Sequence, residues 1–148
     1  MERSDRSGRG GFTLIEVLVA LTILAVGLLA LALLQTTAIK GNAVASKSTI
    51  ATQLGQDQLE TFRHVAWGTV VSSPAGGYDT GTMTPVYTAF PGSEGSVFNV
   101  GGANFYLAWL VTNTTPTLRT VTVWVCWQDD RQGWHNVMLS TQRVNIGI

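Results

Sequence analysis

Residues 11–34 read GFTLIEVLVALTILAVGLLALALL, and the architecture follows from that stretch. Glu16 is its one charged side chain, and the 18 residues from Val17 to Leu34 carry no charge. As an α-helix, the 23 residues from Phe12 to Leu34 span about 34 Å, enough to cross a hydrocarbon core about 30 Å thick. Upstream, MERSDRSGRGG sets Arg3, Arg6, Arg9 and an α-amine against Glu2 and Asp5. That positive flank keeps residues 1–11 on the cytoplasmic side and sends the C-terminal part across. The first cations downstream are Lys40 and Lys47.

The rest of the composition is consistent with one span and one small domain. The chain has 148 residues, of which 12% are charged, about half the usual share for a soluble domain. Nine basic and nine acidic side chains cancel, which argues against an electrostatic nucleic-acid binder. Mean hydropathy is +0.22 at ordinary apolar content, so the hydrophobicity is concentrated in one place. The single cysteine, Cys126, excludes an intramolecular disulfide framework and a multi-cysteine zinc site.

A cleaved secretory signal is the first alternative, since Ala30, Ala32 and Ala38 mimic a small-residue cleavage site. The apolar run is longer than a signal core, and a carboxylate near its start is foreign to that pattern. A plain membrane anchor fits the length but leaves Glu16 unexplained. A carboxylate in a spanning segment costs roughly 2.5–3.5 kcal/mol at the bilayer centre and less near an interface, so it asks for a partner. Cutting between Gly11 and Phe12 creates one. The new α-amine lies four residues from Glu16, at the same depth in a neighbouring copy. Pairing across chains relieves both charges only on assembly, and so supplies attraction and registry together.

Gly11-Phe12-Thr13-Leu14-Ile15-Glu16, after a basic leader and before a long apolar run, resembles the class III signal of type IV prepilins. The resemblance implies cleavage after Gly11 by a membrane-bound prepilin peptidase, N-methylation of Phe12, and a role for Glu16 in assembly. Val17-Leu18-Val19-Ala20-Leu21, Gly27-Leu28-Leu29 and Gln35, with Ala51-Thr52-Gln53-Leu54 and Leu59-Glu60 further on, are similar to minor pilins of the PilV kind. A proline common in major pilins is replaced by Leu31-Ala32-Leu33-Leu34, in keeping with a minor component. The C-terminal disulfide loop of many major pilins is impossible with one cysteine.

Past the membrane the helix is expected to reach about His64. Ile39, Ala43, Ile50, Leu54, Phe62 and Val65 recur at near-helical spacing, with Lys40, Lys47, Asp57 and Arg63 off the stripe. Gly41 and Gly55 each cost about 1 kcal/mol relative to alanine. Trp67-Gly68 and Ser72-Ser73-Pro74-Ala75-Gly76-Gly77 end that pattern, and residues 69–102 read as turns and short strands. Three better strands follow, at 103–112, 120–127 and 135–145. The second alternates so that Val121, Val123, Val125 and Trp127 share a face, and Val137 and Leu139 match them across a turn at 129–133. The expected class is α+β, type IV pilin-like: a long N-terminal helix packed on a C-terminal antiparallel sheet. Its parts are a leader (1–11), a transmembrane and assembly half-helix (12–34), an amphipathic half-helix (35–66) and a β-rich globular domain (67–148).

The exported part is poor in chemistry. Residues 68–148 hold one histidine, His135, and seven charged side chains. Cys126 reads as a structural thiol, His135 as a strand residue, and Asp129 and Asp130 as a solvated turn rather than the start of a calcium loop. Trp109, Trp124, Trp127 and Trp134 read as sheet packing, with a carbohydrate platform as the alternative. No P-loop, dinucleotide fingerprint or H-E-x-x-H occurs. These residues suggest no enzyme, no catalytic or metal site and no cofactor. The partners implied by the resemblance are other pilin subunits, prepilin peptidase and an inner-membrane assembly platform. The implied location is the bacterial inner membrane before assembly, and a pilus at the cell surface or a periplasmic filament after it. A minor pilin, with twitching or adhesion as its setting, is the leading expectation. A minor pseudopilin of a type II secretion system is its neighbour, and a membrane-tethered binding module is the alternative of another class.

Overall fold

The computed structural model describes residues 11–145. Helix α1 (Leu14–His64) is followed by a short 3-10 turn at Trp67–Thr69 and a ribbon of β1 (Tyr78–Asp79) and β2 (Thr84–Pro85). A second 3-10 turn at Tyr87–Ala89 leads into β3 (Ser96–Val100), β4 (Ala103–Thr115), β5 (Leu118–Gln128) and β6 (Trp134–Val144). The chain divides into two compact units, the first ending at Asn42 and the second beginning at Ala43. The long N-terminal apolar helix and the C-terminal antiparallel sheet are those expected from the sequence.

In the first unit every described residue is exposed, and the helix is long and apolar enough to cross a membrane. Its interior hydroxyls are bonded within the helix. Thr22 donates to the carbonyl of Val19, while Thr36 and Thr37 both donate to that of Leu33. A hydroxyl so bonded enters an apolar environment at much lower cost than a bare one.

In the second unit β3, β4, β5 and β6 form a sheet in sequence order, antiparallel throughout. Gly101 and Gly102, both at positive φ, make the two-residue turn from β3 to β4; two positive φ angles match strand twist and favour glycine. β3 is one of the short strands expected within residues 69–102, and the glycine pair between SVFNV and ANFYL marks its turn. Beyond β3, Ser72 and Ser73 continue the edge of β4. Their hydroxyls accept the N–H groups of Val111 and Trp109, both at 3.0 Å.

The alternation of β5 sorts the core as expected. Val121, Val123, Val125 and Trp127 join Phe105 and Leu107 under Ala51 and Phe62 of α1. Trp124 and Cys126 face the other way and, with Ala108, Tyr106 and Trp134 of the sheet, pack with Tyr78, Tyr87 and Phe90 of the segment before β3. The helix covers one face and the irregular segment before β3 covers part of the other.

From Ile50 onward the covered side of α1 follows the expected stripe: Phe62 is buried, and Ile50, Leu54 and Val65 pack against the core. Ile39, 68% exposed, and Ala43, also exposed, depart from it, and Ala51 and Gly55 are buried beside it. Lys47, placed off the stripe, is half-buried and pairs with Asp130 at 3.4 Å. Gly55 is a point of close approach: a Cβ there would overlap Leu139 and sit 3.2 Å from Val125 Cγ2. The glycine that weakens the helix thus lets its backbone meet the sheet. At the helix end, the Arg143 guanidinium donates to the carbonyls of Phe62 and Val65, both at 2.6 Å. A cation bonded to the last carbonyls satisfies orphan acceptors and complements the helix dipole. Arg119 and Arg143 both lie over Trp67, at 4.5 and 5.8 Å from the ring centroid.

Gly55→Leu is therefore expected to lower stability by about 1–3 kcal/mol through overpacking. Leu139→Ala placed in the same chain should relieve part of that loss, so that the two costs fail to add. Urea unfolding followed by tryptophan fluorescence, in detergent, reads both.

Candidate functional site

The residues singled out for processing and assembly lie at the start of α1. Gly11 and Phe12 precede the helix; Phe12 is 82% exposed, and nothing lies within 4 Å of where a Gly11 Cβ would be. An exposed glycine–aromatic pair outside the helix is sterically open to a protease cleft. The leader arginines Arg3, Arg6 and Arg9 lie outside the described residues.

Thr13 organises this end. Its hydroxyl accepts the N–H of Glu16 at 3.3 Å, and its carbonyl accepts the same N–H at 3.1 Å. Thr13-Leu14-Ile15-Glu16 is thus a Thr-x-x-Glu start, the first arm of a capping box, and its signal stands in the sequence. Glu16 sits in the first turn, where the positive end of the helix dipole favours a carboxylate. The side chain is exposed, and among the described residues it has no ion pair. The cap fixes where the helix begins, and the carboxylate remains available for a partner.

The titratable groups of the second unit hold turns together. Asp129 Oδ2 contacts His135 Nε2 at 3.0 Å, while Oδ1 accepts the N–H groups of Arg131 and Gly133 at 2.9 and 2.8 Å. The His135 hydrogen bond, then the Gly133 and Arg131 amides, hold the Asp129 carboxyl down at about 2. The imidazole stacks on Trp127 with centroids 5.6 Å apart. Asp79 is likewise held below the usual carboxylate range by the amides of Thr82 and Gly81.

A histidine–aspartate pair suits a general base if a nucleophile stands beside it. Cys126 instead belongs to the cluster on the opposite face of the sheet, where burial pushes its thiol up to about 12. The two are kept apart by strand alternation. Trp124 and Trp127 are buried, and Trp109 and Trp134 are half-buried among other rings, so the tryptophans form packing rather than an open platform. Among the described residues no three His, Cys, Asp or Glu side chains gather as a metal site.

Two outcomes follow. The folded state holds Asp129 ionised at a lower pH than the unfolded chain does. Its stabilisation is therefore complete above about pH 4 and is lost as the pH falls towards about 2. Asp129→Asn should flatten that acid limb in urea midpoints measured between about pH 5 and 2. The Cys126 thiol should resist iodoacetamide at about pH 8 until the protein is unfolded, as read by intact mass.

The prokaryotic N-terminal methylation motif matches residues 6–32, which include Gly11, Phe12, Glu16 and most of the uncharged run. No curated protein and no solved structure matches the chain. The motif supports a type IV pilin-like or pseudopilin-like protein, a class that is structural rather than catalytic. Together with the apolar helix it supports membrane anchoring, processing by prepilin peptidase and assembly with other pilins.

Proposed function

We propose that this chain is a minor pilin of the PilV kind, a structural subunit of a type IV pilus. The carrying observation is Glu16: one carboxylate, without an ion pair among the described residues, in the first turn of a helix otherwise apolar to Leu34. In this reading residues 1–11 are a cytoplasmic leader, cleavage falls between Gly11 and Phe12, and Phe12 is N-methylated. Residues 12–34 serve as membrane anchor and then as filament-core helix. Residues 35–66 link to the globular domain, 67–148, which faces the periplasm and later the filament exterior. Lipid and a filament core are similarly apolar, so burial alone does not drive the transfer. Pairing of Glu16 with the Phe12 amine of a neighbour supplies the bias. The unbroken helix through Leu31-Ala32-Leu33-Leu34 supports a minor rather than a major subunit.

The test has two parts. Intact mass and N-terminal analysis of the protein in sheared filaments should find a chain beginning at methylated Phe12. The same mass confined to the envelope would point to a type II secretion pseudopilin, and an intact Met1 in every fraction would favour a membrane-tethered binding module. Glu16→Val should insert into the membrane and be missing from filaments; normal filament levels of that variant would refute the role given to Glu16.

A further inference from the structure

The four-stranded sheet has two open edges. On one side is β3, five residues long; on the other is β6, eleven residues long. Among the described residues, neither strand has a backbone hydrogen bond beyond its one sheet neighbour. Natural edges are usually guarded by lysine, proline, bulges or a covering loop. Here SVFNV carries no charge or proline, and in WHNVMLSTQRV the one permanent charge, Arg143, is turned onto the end of α1. Both edges carry exposed apolar side chains: Val97 at 46%, Phe98 at 41% and Met138 at 55%.

We propose that β6 of one copy pairs with β3 of the next, joining neighbouring globular units into one continuous antiparallel sheet. Polarity selects this occupant. In a sheet of order β3-β4-β5-β6, antiparallel throughout, β3 and β6 run in opposite directions. Two copies that point the same way therefore offer each other antiparallel edges. Antiparallel pairing of β6 with a second β6 needs a two-fold axis normal to the sheet. That axis reverses every direction within the sheet, including the α1 segment packed on it, whereas chains anchored in one membrane point the same way. Common orientation is all that this inference takes from the function proposed above.

Side chains select a register. Phe98 lies opposite Phe105, on the face that α1 covers, and Val137 lies opposite Val125 on that same face. Setting Phe98 against Val137 keeps both faces consistent, and a slip of one residue would invert them. The same register places Val97 against Met138 and Asn99 against Asn136. Exposed apolar side chains then cover each other and an amide meets an amide. Because β6 runs on to Val144, β3 has strand to lie against even when the next copy is staggered along it.

Val97→Cys combined with Met138→Cys tests this in the full chain in membranes of its host. Directly opposed residues bring Cβ atoms to about 4.5–5.5 Å, near disulfide range, and the buried Cys126 does not compete. Mild oxidation of the double variant should yield a ladder of dimers, trimers and higher species, since each copy carries one thiol on each edge. Each single variant should stay monomeric. Dimers from either single variant would overturn the proposal in favour of a symmetric contact. So would processed chains whose two thiols both react with a maleimide yet form no ladder. A ladder on chains that retain residues 1–11 would support edge pairing while refuting the filament reading.

Discussion

A helix that is apolar on every side cannot rest in water, and that constraint governs what the first unit can be. Residues Val17–Leu34 offer no polar face to solvent and no single stripe to lay against a globular partner. Only lipid, or other helices like itself, can surround it. The polar groups in and beside this stretch are arranged to permit this: the Thr22 and Thr36 hydroxyls bond back to carbonyls, and Thr13 caps the first turn. Glu16 is the exception, the one group for which the helix makes no internal provision beyond its dipole. The apolar problem is solved along the run and one charge is left at a fixed depth, the charge that the proposed function gives to a neighbouring chain.

From Ala43 onward the same helix obeys a different rule. One side is covered, by a sheet whose inner positions come from strict alternation in β4, β5 and β6. Ala51 and Gly55 let the backbone approach the strands, with Ile50, Leu54 and Leu59 packed beside them. Phe62 then fills the lower end against Trp109, with ring centroids 5.4 Å apart, and Arg143 satisfies the last carbonyls. Part of the far face is closed by aromatic stacking, Tyr78 on Trp124 and Tyr87 on Trp134, while Val97 and Met138 stay exposed on its outer strands. The free positions of the domain are its turns and its two outer strands.

Much of this was legible beforehand because it rests on period. Alternation in β5 and β6 named the inner valines, and the uncharged run named the membrane-competent helix. The end of α1 fell at His64, just before the glycine- and serine-rich stretch. What escaped notice rests on distance instead. Periodicity favoured Ile39 and Ala43 as covered positions, but which turns of a helix meet a sheet depends on where the sheet lies. Gly55 read as a defect because its benefit exists only once Leu139 and Val125 stand beside it. Lys47 read as solvated because Asp130, its partner, is far away in sequence. The candidate site was nearly all in the sequence, since Gly11, Phe12 and Glu16 are neighbours in the chain. Its cap, Thr13, is equally local, three residues before Glu16.

The placement of Cys126 carries a last consequence. On the route proposed above the domain reaches an oxidising compartment, where thiol–disulfide exchange catalysts act on thiolates they can reach. A solitary surface thiol there would be captured as a mixed disulfide or would tether two subunits at random. Sealed between β5 and the aromatic rings of the overlying segment, with ionisation suppressed by burial, this sulfur is outside that traffic. The domain can thus mature without a disulfide of its own and without help from the oxidative folding machinery. Its integrity then depends on packing alone, and it should be indifferent to the redox state of its surroundings.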